Sequence, residues 1–64
     1  MENFKITVKY IRIPTGETHS KAQYNVKAET VDDAIYKALK YAEDGKPNKC
    51  ECQLDAVVIV DREG

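Results

Sequence analysis

The thiols of Cys50 and Cys52, one residue apart, and the imidazole of His19 are the side chains of this 64-residue chain best suited to soft-metal chemistry. C-x-C departs from the two-to-four-residue spacing of zinc knuckles, and a fourth ligand would have to come from a carboxylate. Two cysteines so close in an extended segment cannot reach ordinary disulfide geometry, so both read as free thiols. In even phase along an apolar run they fit the inner face of a strand as small hydrophobes, and no metal site is expected. His19 would be the general base of any hydrolytic chemistry. No nucleophile, acid partner or oxyanion donor falls around it by spacing, so an exposed loop histidine is the expectation. Thr15-Gly16-Glu17 has one glycine and no following helix, unlike a phosphate loop. No catalytic, cofactor-binding or metal-binding residue is assigned, and the chain is expected not to be an enzyme.

The elements that would position these residues follow from hydrophobic periodicity. Phe4, Ile6, Val8 and Tyr10 alternate with Lys5, Thr7 and Lys9, a strand with one buried and one wet face; with the slipped Ile11 and Ile13 it runs over about residues 4–13. Pro14 to Ser20 favours a turn. Tyr24, Val26 and Ala28 alternate with polar residues in a second strand over about residues 21–29. Thr30 is an N-cap candidate, with Asp32 and Asp33 at the positive end of a helix dipole. Val31, Ala34, Ile35, Ala38, Leu39 and Ala42 share one face of a helix over about residues 31–44. Gly45 and Pro47 end it. A last strand over about residues 50–61 places Cys52, Leu54, Ala56, Val58 and Val60 on one face and Val57 and Ile59 on the other. The order predicts an α+β fold, a single small ββαβ domain with a three-stranded antiparallel or mixed sheet, strand order 2-1-3, and the helix on one face.

Composition narrows the function. The chain is 42% hydrophobic and 33% charged with net charge −1, a soluble single domain without the basic excess of a dedicated nucleic-acid binder. Residues 1–30 carry five Lys/Arg against three Asp/Glu and residues 31–64 five against eight, so the molecule is mildly bipolar. No apolar run approaches the length of a membrane span, and Met1-Glu2-Asn3 lacks the features of a signal peptide, so a cytoplasmic protein is expected. A chain this short has a marginal core, which makes association with a partner or a second copy the default expectation.

The sheet face left uncovered by the helix is the expected contact surface. Phase places Lys5, Lys9, Lys21 and Lys27 there, with Val57 and Ile59 from the last strand. Val57 and Ile59 are the expected partner-binding anchors, and Lys5, Lys9 and Lys27 supply charge complementarity. Two other uses of this face are a structural homodimer and weak nucleic-acid binding through the lysines. The latter has no outward aromatic for base stacking, because Phe4, Tyr10 and Tyr24 point inward.

Tyr24-Asn25-Val26-Lys27-Ala28-Glu29-Thr30-Val31-Asp32-Asp33-Ala34, the helical alanines after it and the valine-rich last strand resemble the small proteins with which short-tailed bacteriophages inhibit host RNA polymerase. The likeness spans about residues 22–61. It implies a ββαβ fold and an uncharacterised phage or mobile-element protein that binds, and inhibits, a host protein such as RNA polymerase. Where that family carries arginines on its last strand, this chain has Leu54-Asp55-Ala56-Val57-Val58-Ile59. The strand order is also similar to that of a small archaeal ribosomal-protein family, whose basic character this chain lacks.

Overall fold

Alternation on the first strand and a 3.6-residue stripe on the helix give the core its two halves. The computed structural model describes residues 1–62, the last two by backbone alone. Strand β1 (Glu2–Arg12) is followed by β2 (Thr18–Ala28), helix α1 (Val31–Asp44) and β3 (Cys50–Arg62). β1 lies in the middle of the sheet and pairs antiparallel with both neighbours, in the order β2-β1-β3. This is the expected ββαβ architecture.

The helix bounds match the apolar periodicity. Thr30 is extended and its Oγ1 accepts the Asp33 N–H at 3.2 Å, with Asp32 and Asp33 in the first turn. Gly45 ends α1 at negative φ, its N–H donating to Ala42 O at 3.2 Å while the Lys46 N–H donates to Glu43 O at 3.3 Å. β2 starts three residues before the expected bound, because the polar stretch Thr18-His19-Ser20 pairs with the end of β1: Tyr10 faces Ser20, Ile11 faces Thr18, and His19 is the extra residue of a bulge. The hairpin loop closes through Gly16 N–H to Arg12 O at 2.7 Å and Arg12 N–H to Glu17 O at 2.8 Å, with Gly16 at φ +75°, where a side chain would be strained.

Phe4, Ile6, Val8 and Tyr10 form the buried face of β1, joined by Val26 and Ala28 of β2 and Cys50 of β3. Above them Ala34, Ala38 and Ala42, four apart along α1, are completely buried. Their methyl groups let the helix axis sit low over the central strand. Ile35 and Leu39 pack at the margin of this core with Ala22, Tyr24, Cys52 and Val57. The Tyr10 hydroxyl donates to Ala42 O at 3.0 Å and ties the helix C-terminus to β1. On its outer side Lys37 Nζ donates to the carbonyl of Lys27 at 3.3 Å and Lys40 Nζ lies 5.4 Å from the Tyr36 ring centroid.

The molecule is long, 45 × 16 × 14 Å. Its 14-residue helix is about 21 Å long, whereas an 11-residue strand reaches about 36 Å, so part of the helix-side face is left uncovered.

Candidate interaction surface

β3 is an edge strand, and its pairing with β1 settles which way each side chain faces. Residues directly opposite one another in a sheet share a face. Tyr10 faces Cys52 and Val8 faces Leu54, but Ile6 faces Val57 and Phe4 faces Ile59. The change of phase between Leu54 and Val57 is a bulge in which Asp55 is the extra residue; a second bulge leaves Val60 unpaired between Ile59 and Asp61.

This register corrects the expected placement of Val57 and Ile59. Both lie on the helix side, not on the uncovered face. Val57 is half-buried against the core, and Ile59, 49% exposed, sits at its open margin. The residue that takes the uncovered face is Val58, opposite Lys5 and 53% exposed. Leu54 and Val60 are 42% and 56% exposed. Leu54, Val58, Ile59 and Val60 therefore form an apolar rim that wraps the free edge of β3 from one face to the other. Strict alternation could not place them, because Ala56 to Val60 is apolar throughout and satisfies either phase. The one sequence sign of the bulge is the charged Asp55 inside the run.

Lys5, Lys9 and Lys27 lie on the uncovered face, as their phase implies, beside Thr7, Gln23 and Asn25. Lys9 stands directly opposite Lys21, a like-charge pair that is unfavourable by itself. Lys21 is drawn to Asp55 at 3.1 Å, so the bulge residue offsets part of that repulsion. Ile11 is buried at the hairpin end of this face, apart from the main core, and Ile13 is exposed. The aromatic rings are on the other side: Tyr24 and Tyr41 meet over β2 with centroids 6.0 Å apart. The second edge strand, β2, exposes Lys21, Gln23, Asn25 and Lys27, polar side chains of the kind that discourage edge pairing.

The thiols are free; Cys50 is buried and Cys52 partly so. Burial first and the Glu43 carboxylate second push the Cys52 thiol above its ordinary range, which keeps it protonated and a poor nucleophile. His19 is exposed, its Nδ1 3.0 Å from Ser20 Oγ. Among the described residues no group of three or more His, Cys, Asp or Glu is gathered closely enough to hold a metal ion. No helix among them is long and apolar enough to cross a membrane.

Comparison of the chain with protein-family models, with curated proteins and with solved structures finds no match.

Proposed function

We propose that this protein is a non-enzymatic interaction module that binds a partner protein through the free edge of β3. The observation that carries this reading is the rim of Leu54, Val58, Ile59 and Val60, half-exposed on a strand with no neighbour on its outer side among the described residues. Unpaired backbone groups and β-branched side chains together make a template for an added strand. The bulges at Asp55 and Val60 leave only Ala56 to Ile59 in regular register, so strand addition would be short and side-chain contacts would supply most of the buried area. Lys5 and Lys9 on the adjacent face would steer an acidic partner toward it.

The resemblance to phage inhibitors makes host RNA polymerase the first partner to try. Binding of purified bacterial RNA polymerase to immobilised wild type and to Val58→Lys tests both the surface and the partner. Retention by wild type and its loss in the variant, with circular dichroism unchanged, is the expected result. Equal retention by both would overturn the assignment of the β3 edge, and retention by neither would exclude this polymerase as the partner.

A second reading, nucleic-acid binding, is favoured by one observation: Lys5, Lys9, Lys21 and Lys27 share the uncovered face. It predicts binding to a mixed-sequence RNA oligonucleotide that falls steeply with salt, whereas an edge contact centred on valine and isoleucine tolerates moderate salt.

A further inference from the structure

The hairpin loop, residues 13–17, and the connection from α1 to β3, residues 45–49, are joined by the Ile13 N–H donating to Lys49 O at 2.9 Å. Between them opens a cleft of about 380 Å³, with Arg12, Thr15, His19, Asn48 and Lys49 in its wall. Two basic residues, a histidine, a threonine and an asparagine thus line one cleft with Pro14 and Cys50, and none of the lining residues carries a carboxylate. Neither cation is held in an ion pair among the described residues. In a chain of net charge −1, this is a local concentration of positive charge around a concave surface.

A second observation comes from the backbone. Lys49 has φ +61°, the left-handed region, and is the one non-glycine residue with positive φ among those described. Glycine or asparagine would fit this turn with less strain, so a lysine stands at a position that its backbone disfavours. Backbone positions that disfavour their own residue cluster at functional sites, which points to the Lys49 side chain as well as to its turn.

We propose that this cleft binds the phosphate group of a small phosphorylated molecule. Arg12 offers a planar fork suited to two phosphate oxygens, and Lys49 is a second cation in the same lining. Thr15 Oγ1 already accepts the Glu17 N–H at 3.3 Å, which leaves its hydroxyl proton to donate. With His19 Nδ1 turned to Ser20, Nε2 is the ring nitrogen left for a ligand. The volume exceeds that of a bare phosphate and lies at the small end of organic-ligand sites, with the Pro14 ring as an apolar wall for the remainder of the molecule. The site is independent of the β3 edge and stands whether or not that edge binds a protein.

The test is an amide-resolved NMR titration of the intact chain with inorganic phosphate and with ribose 5-phosphate, against sodium chloride at equal ionic strength. Saturable shifts confined to residues 12–19 and 48–50, tighter for ribose 5-phosphate, are expected. Arg12→Gln and Lys49→Gly should each weaken binding about tenfold or more, as expected for loss of a charge-assisted contact, while Lys40→Gln, on the helix, leaves it unchanged. Lys49→Gly should also melt at or above the wild-type temperature, because it removes the left-handed strain; a merely structural lysine would not lose binding while gaining stability. Shifts that grow linearly and equally with chloride, or wild-type affinity in both cleft variants, would overturn the proposal. Equal affinity for the two phosphates would overturn its organic part and leave free phosphate as the ligand.

Discussion

Tyr10 is the residue through which sheet and helix are most directly coupled, and its chemistry can be read in solution. Its hydroxyl, buried, donates to Ala42 O, and this bond exists only while the phenol is protonated. The adjacent Tyr24 side chain first, and burial second, push its pKa from 10 up to about 12. A folded-state pKa above the unfolded one means that the stabilisation is fully present below pH 10 and is lost as pH rises through about 12. Thermal melts from pH 9 to 12 should show this loss in wild type, and Tyr10→Phe should flatten it. At neutral pH the same substitution should cost about 1 kcal/mol, the worth of one buried hydrogen bond, or about 4–8 °C in melting temperature for so small a domain. Ala38 makes the complementary point about space: it is fully buried under the helix, so Ala38→Leu should overpack the interface by about 1–3 kcal/mol, measurable by urea denaturation.

Among the elements, α1 was fully legible because each of its signals is local. The cap at Thr30, the acidic first turn and the alanine stripe all lie within the segment, and nothing distant had to be known to bound it at residues 31–44. Removing the cap in Thr30→Ala should cost about 1 kcal/mol and start the helix melt from that end, visible as faster exchange of the Asp33 amide. The two halves of the hairpin were legible as strands, but the start of β2 was hidden. Thr18, His19 and Ser20 have the composition of a loop and pair only because β1 stands beside them. β3 was legible as a strand and illegible in its facing, since a bulge is a property of two strands together, and an apolar run gives no mark of where the phase turns. The candidate surface carries the same gap: phase puts the lysines on the face they occupy, and puts Val57 and Ile59 on the face opposite to theirs. The correction separates two neighbours experimentally. Val57→Lys should destabilise the domain by several kcal/mol if its charge is forced against the core, whereas Val58→Lys, on the uncovered face, should change stability by less than about 1 kcal/mol. Urea midpoints of the two variants check the difference.

At the scale of the molecule, the shape is that of a long sheet only partly roofed by a short helix. β1, paired on both sides, is the protected centre, and the elements around it differ in what they expose. β2 presents polar side chains at its edge, while β3 presents an apolar rim. Such an edge is open to a second copy of the chain as well as to a partner, and antiparallel pairing of two β3 edges would give a two-fold symmetric assembly. Light scattering over a dilution series should therefore show wild type rising above its 7.2 kDa monomer mass as concentration increases, with Val58→Lys remaining at that mass. The cleft proposed for phosphate lies at the hairpin end, in a different part of the surface from the β3 rim, so the two proposed activities are expected to be separable by mutation.

Asp55 gives the last consequence. It is the extra residue of the bulge, so deleting it would leave every other side chain of β3 on its present face and join Leu54 directly to Ala56-Val57-Val58-Ile59-Val60. The resulting edge would be an apolar hexapeptide without charge or proline, regular as far as the bulge at Val60, the composition of segments that stack into cross-β fibres. Asp55 thus has the position of a gatekeeper: one carboxylate, out of register and paired with Lys21, interrupts an apolar edge segment whose unbroken form has the composition of a polymerising strand.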